Sequence, residues 1–166
     1  KSGLPGEHRA ERRGQNAAMV IITGKKNAGN KTTARALEKK LFDDGKFVYF
    51  LGIGNVLYGV DADIKGRVAG ENENMEHIRR LAEIAHIMME AGIILIVTAV
   101  ELRQSDLDII KMIVDHEKME TIWIGDKGDS ELVCDLFVEN PSNTEEPVDI
   151  IKDLLQDKSI IFRPGK

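Results

Sequence analysis

Cys134 is the only cysteine in the sequence. No disulfide framework can form, and a reducing environment is implied. Aromatic residues make up 5% of the chain and the formal net charge is −5. That balance excludes a protein that stacks on bases or tracks a phosphate backbone, so no nucleic-acid partner is expected. No apolar run nears the ~20 residues that cross a bilayer. The longest, Gly92-Ile-Ile-Leu-Ile-Val-Thr98, has the length of a buried strand. Nothing near the start reads as a secretory signal. The expectation is a cytoplasmic domain with no membrane partner.

What is present suits one α/β domain. The chain has 166 residues, 42% of them hydrophobic, and a domain of this size buries roughly 68–70% of its unfolded surface. A core is therefore expected without help from a metal, and no metal ligand set is assigned. Charge is uneven. Residues 1–16 hold four basic side chains (Lys1, Arg9, Arg12, Arg13) and two acidic ones (Glu7, Glu11), leaving 19 basic and 26 acidic groups elsewhere. With Gly, Pro and charge but few apolar residues, 1–16 reads as a linker or arm, and 17–166 as the domain. The first residue is Lys1 rather than Met, which suggests a piece of a longer chain.

Apolar runs then alternate with amphipathic segments. Ala18-Met-Val-Ile-Ile-Thr-Gly24 reads as a buried strand entering a loop. Ala34, Leu37 and Leu41 recur on one face of a helix expected over 33–44 and ended by Gly45. A second strand is expected over 46–51, and loop over 52–74. A strong helix over 76–91 carries Ile78, Leu81, Ile84, Ala85 and Met88, and Gly92 caps it. Next come a strand over 93–99, a helix over 104–117, and strands over 120–124 and 132–138. Ser142 or Thr144 is expected to cap a helix over 145–156, and 159–162 reads as a final strand. Alternation of this kind specifies βαβ units, a three-layer fold with a mainly parallel sheet of about five strands between helices. Ligands then sit at the carboxyl ends of the strands, after Thr23, Leu51 and Ala99.

The loop after the first strand is Gly24-Lys-Lys-Asn-Ala-Gly29-Asn30-Lys31-Thr32-Thr33, set between strand and helix. This is the setting of a phosphate-binding P-loop. Glycines let backbone N–H groups turn inward around phosphate oxygens; a Lys after the second glycine reaches the β/γ-phosphates, and a following Ser or Thr holds Mg²⁺. Gly24 and Gly29 have the G-x-x-x-x-G spacing, but Asn30 stands at the Lys position and Lys31 at the hydroxyl position. The candidate nucleotide-binding set is Gly24, Gly29, Asn30, Lys31, Thr32 and Thr33.

From Arg9 the stretch RAERRGQNAAMVIITGKKNAGNKTTARALEKKLFDDGKFVYFLGIGNVLYG resembles the opening half of an adenylylsulfate (APS) kinase domain. That family shows an arginine-rich lead-in with Gly-Gln, then TGLSGSGKST, an ALE-x-KL helix, and a strand ending in DGDN. His77-Ile-Arg-Arg80 resembles its NIRR helix, and 90–99 its next strand. The resemblance covers most of 9–157. It implies a P-loop kinase that moves the γ-phosphoryl of ATP, with Mg²⁺, onto the ribose 3′-hydroxyl of adenylylsulfate. It also implies substrate contacts at Asn55, Arg79 and Arg80.

The departures fall on the chemistry. At the DGDN position stands Gly52-Ile-Gly54-Asn55, so both carboxylates are gone; Leu57 and Tyr58 replace an Arg and a His; His77 replaces the Asn of NIRR. Glu101-Leu-Arg-Gln-Ser105 does not match the substrate-lining segment. The family's long basic lid is replaced by Gly125-Asp-Lys-Gly-Asp-Ser-Glu131. One lost charge-assisted hydrogen bond is worth ~1.5–3 kcal/mol, and each ~1.36 kcal/mol of barrier is tenfold in rate. Losing the lysine, metal ligand, acidic group and lid together leaves little catalysis. No catalytic residue is therefore assigned.

Remaining features carry less. Gly52-Ile-Gly54 mimics a dinucleotide fingerprint, but Leu57 stands where its third glycine belongs. His8, His77, His86 and His116 share no ligand spacing. Cys134 alternates with Val133 and Leu136 and reads as core; Met75, Met88 and Met89 fit helix packing. The expected protein is an APS kinase-like pseudoenzyme that serves as an interaction or regulatory module. ATP and Mg²⁺ would be cofactors only if activity remains. Expected partners are a fused or associated GTPase subunit of sulfate adenylyltransferase, or a second copy in a homodimer. A residual adenylylsulfate kinase using Lys25, Lys26 or Lys31, and a nucleotide or anion sensor, are the alternatives.

Overall fold

The computed structural model describes residues 14–52, 71–139, 141 and 143–162, with backbone alone at 71–74. Five strands form one parallel sheet: β1 (Ala18–Gly24), β2 (Val48–Gly52), β3 (Ile94–Val100), β4 (Met119–Ile124) and β5 (Leu136–Val138). Their order is β2-β3-β1-β4-β5. Among the described residues four α-helices flank them: α1 (Asn30–Asp43), α2 (Glu71–Glu90), α3 (Gln104–Ile113) and α4 (Glu145–Asp157).

The central strands are buried along their length because helices cover both faces, which is why they read as continuous apolar runs. Successive side chains go to opposite faces. Met19, Ile21, Leu95, Val97 and Trp123 pack with Ile78, Leu81 and Ala85 of α2 and Leu107 and Ile110 of α3. Val20, Ile22, Ile96 and Ile122 pack with Leu37 and Leu41 of α1 and Ile151 and Leu155 of α4. Each fully buried Leu or Ile contributes roughly 1.5–3 kcal/mol, against ~1 kcal/mol for a helix cap. The two cores therefore decide where helices lie, and caps only trim their ends.

The α/β reading and the five parallel strands hold, and several ends move. α1 begins at Asn30, three residues before the start expected at 33, because Gly29 turns the chain straight into helical backbone. α2 begins at Glu71, inside the segment expected to be loop. α3 stops at Ile113, since Val114 is extended; Asp115 then caps a short 3₁₀ turn, His116–Lys118. The last strand begins at Leu136, so Cys134 lies ahead of it, half-buried against the α2/α3 core. Thr144 makes no side-chain cap bond; instead Asn143 Oδ1 accepts from the Glu146 N–H at 2.8 Å. Ser142 lies outside the described residues.

No strand forms over 159–162. Ser159 takes a positive φ of 59° and closes α4, with the Ile160 N–H donating to Leu155 O at 2.9 Å. Ile161 then makes a single antiparallel bridge to Gln15. Gln15 is buried, and its side-chain amide donates to Phe47 O and Gly92 O. Gln15 is thus held at the amino ends of β2 and β3.

Candidate functional site

The sheet order places a crevice between β1 and β3. The chain leaves β1 toward α1 on one face and β3 toward α3 on the other, so the two loops diverge at the carboxyl ends of neighbouring strands. Gly24 ends β1 where the backbone runs close to β4. A Cβ there would lie 2.5 Å from Ile124 O, closer than atoms can approach, so only glycine fits. Gly29 precedes α1 with φ 89°, the left-handed region that glycine enters without strain. The Ala28 N–H donates to Lys25 O, and the Thr33 N–H to Gly29 O opens the helix. The two glycines read from the sequence therefore sit in a tight turn that leads into the first turn of a helix, whose opening N–H groups have no intrahelical partners.

The side chains on this loop separate. Asn30 is 7% exposed. Its Nδ2 donates to Ala99 O at 3.4 Å, and its Oδ1 is buried with no hydrogen-bond partner. Lys31 and Thr32 are exposed, and Thr33 is buried. Lys25 Nζ lies 3.7 Å from Asp126 Oδ2. The loop is also tied to the end of β3: the Glu101 N–H donates to Gly24 O at 2.8 Å, and the Leu102 N–H to Thr23 Oγ1 at 3.0 Å. Glu101 has a positive φ of 47° as the chain turns toward α3.

Gly24, Gly29, Asn30, Lys31, Thr32 and Thr33 are thus together. Arg79 and Arg80 are exposed on α2, where Arg80 pairs with Glu76 at 2.7 Å. Among the described residues, the open groove of about 400 Å³ beside them is lined only from α2. Asn55 lies outside the described residues, and of the segment matching DGDN only Gly52, the last residue of β2, is described.

The short connection expected in place of a lid folds down against the loop. Trp123 Nε1 donates to Asp126 O at 3.2 Å, and the Gly128 N–H to Asp126 Oδ1 at 3.1 Å. Gly128 leaves room for Lys25, whose Nζ would be 2.7 Å from any Cβ there. Lys127 sits 4.7 Å above the ring of Phe137. Burial pushes the Cys134 thiol up to about 11, with Lys127 opposing the rise and Asp135 adding to it. Its Sγ donates to Leu132 O at 3.8 Å, so it presents no thiolate nucleophile at neutral pH. Among the described residues no group of three or more His, Cys, Asp or Glu could hold a metal ion.

Sequence reasoning missed the ties from Asn30 to Ala99, Thr23 to Leu102 and Lys25 to Asp126. Each joins residues far apart in the chain, and no local spacing signals them.

A family model described as adenylylsulphate kinase matches residues 16–130. Among curated relatives, the adenylyl-sulfate kinase of Shewanella sp. (strain MR-7) is 36% identical over 103 residues, covering 62% of this chain and 49% of that protein. That of Aeromonas hydrophila is 31% identical over 118 residues, covering 71% and 58%. The chain spans about half the length of the curated relatives it matches. Among solved structures, the Mycobacterium tuberculosis APS kinase in complex with AMPPNP and APS superposes with TM-score 0.70 at 17% identity, over 86% of this chain and 99% of that one. A hexameric APS kinase from Thiobacillus denitrificans gives 0.69 at 18% identity, over 94% and 32%. At such identities these two show the fold alone.

Proposed function

Because the chain belongs to the adenylylsulphate kinase family, we propose that it is an APS kinase-like domain of sulfate activation that keeps the family frame without phosphoryl transfer, and that it serves as an interaction or regulatory module. Phosphoryl transfer depends on positioned charge, so a kinase is judged by which groups hold the phosphates. The observation that carries the reading is the first position of α1. A lysine stands there in the family's loop, and here it is Asn30, neutral and buried.

The other loop cations stand away from that position: Lys26 is exposed on the loop ahead of Gly29. Lys25 lies 3.7 Å from the Asp126 carboxylate, and Lys31 stands exposed one position further along the helix, rotated about 100° from Asn30. Mg²⁺ takes oxygen ligands, and an ammonium at the hydroxyl position supplies none. The described residues therefore do not fit ATP with Mg²⁺, and no step is assigned to it.

The same proposal makes 1–16 an arm leading to a GTPase subunit of sulfate adenylyltransferase, fused or associated, with the domain at 17–166 in the cytoplasm. Among the described residues no helix is long and apolar enough to cross a membrane. The hexameric assembly of the Thiobacillus denitrificans enzyme favours self-association of this chain, at least as a homodimer.

A coupled assay with adenylylsulfate and Mg-ATP tests the reading. No turnover above the protein-free rate is expected. Turnover abolished by Lys31→Ala would overturn it and establish a residual kinase.

A further inference from the structure

We propose that Asn30 bolts the β1–α1 loop shut against β3 and thereby sets its ligand preference, excluding the di- or triphosphate that the two glycines would otherwise admit. This inference rests on the reading above and goes from lost transfer to lost binding.

The bolt is visible in the bonds of one side chain. Asn30 opens α1, and its Nδ2 reaches across the crevice to Ala99 O near the end of β3. Beside it, the Glu101 N–H donates to Gly24 O, extending the parallel β1/β3 ladder, and the Leu102 N–H donates to Thr23 Oγ1. The start of α1, the end of β1 and the turn after β3 are therefore joined at the carboxyl ends of the two strands.

The other end of the amide decides the sign. Oδ1 is shut in without a donor and faces the loop's first glycine, since a Cβ on Gly24 would lie 2.9 Å from it. A phosphate oxygen is itself an acceptor. Two acceptors meeting in a buried site repel, whereas a lysine there would bring three donors and a positive charge. Turning the amide round would aim Nδ2 at the loop but set Oδ1 against Ala99 O, again two acceptors. The observed orientation is the one that makes a bond. Lys25, a cation of the same loop, lies next to the carboxylate of Asp126.

Asn30 is a positioning residue here, and its test reads ligand binding rather than folding. The full 166-residue chain is titrated with inorganic tripolyphosphate, then with Mg-ATP, by calorimetry and by Trp123 fluorescence. Wild type is expected to show no saturable binding at millimolar ligand. Asn30→Ala, which removes both the bolt and the orphan acceptor, is expected to bind tripolyphosphate at least about tenfold more tightly than wild type, and Asn30→Lys more tightly again. Should Asn30→Lys not fold by circular dichroism, Asn30→Ala decides. Saturable wild-type binding as tight as that of the variants would overturn the bolt, as would folded variants that bind no better than wild type. Either outcome without adenylylsulfate turnover leaves the non-catalytic reading standing, so the two fail separately.

Discussion

The ammonium of Lys25 lies 3.7 Å from the carboxylate of Asp126, joining the loop after β1 to the connection after β4. Both side chains are well exposed, at 48% and 79%. A pair in that setting contributes at most about 1 kcal/mol and is screened by salt. Its importance is positional: it links the loop after β1 to the connection after β4. Asp126→Asn is expected to lower stability by no more than about 0.5 kcal/mol in urea denaturation at physiological salt. A loss several times larger would mean that the pair holds the connection itself.

Glu120 is a cost built into β4. It is 3% exposed, and its Oε2 has no partner. Burial raises its pKa; the charge of Asp135 adds to the rise, and that of Lys158 opposes it. A carboxyl whose folded pKa is raised holds its proton more tightly in the folded state. Its contribution is full below the ordinary Glu range and is lost as pH climbs through the raised value. Glu120→Gln is expected to be more stable than wild type at pH 8 by about 1 kcal/mol, with the gain shrinking toward pH 4. Equal urea midpoints at pH 8 would refute this.

Ser159 occupies the left-handed position that ends α4, with φ 59°. Gly45 and Gly92 end α1 and α2 with φ 83° and 87°. A side chain in that conformation costs about 1 kcal/mol, part of which glycine returns through unfolded-state entropy. Ser159→Gly is expected to raise Tm by roughly 2 °C in scanning calorimetry. A fall in Tm would show that the serine does something else there.

Cys134, with its thiol pushed up to about 11 by burial, should resist modification. At pH 8 its thiolate fraction is lower than that of a free cysteine by about two orders of magnitude. Reaction with a chromogenic disulfide is expected to be slow in buffer and fast in denaturant. Rapid labelling of the folded chain would exclude this environment.

Much of the frame was legible in the sequence because burial on both faces writes itself locally. A strand covered on both sides is an apolar run, and a helix lying on it repeats every three or four residues, as Ile78, Leu81 and Ala85 do, whereas Ile84, read onto the same face, is exposed and Met89 is buried instead. Ends were less legible. Thr144 reads as a cap, yet Asn143 supplies the bond, because capping depends on which oxygen the local backbone aims at an open N–H. The 132–138 alternation reads as one strand, but the Thr121 N–H bonds to Asp135 Oδ2, and the Asp135 N–H to Thr121 O, before pairing starts at Leu136.

By itself the sequence determined an alternating α/β chain, a glycine-spaced loop after the first strand, and the replacement of that loop's lysine by Asn30. All three are properties of neighbouring residues. Only the tertiary structure decided what Asn30 touches. Ala99 is 69 positions away in the chain, and β3 lies beside β1 because two separate helical faces pack on one sheet. Strand order is set by the burial of both faces at once, and no local pattern records which strand ends will meet. An amide that looks from the sequence like a missing lysine thereby becomes, in the fold, a hydrogen bond across the crevice.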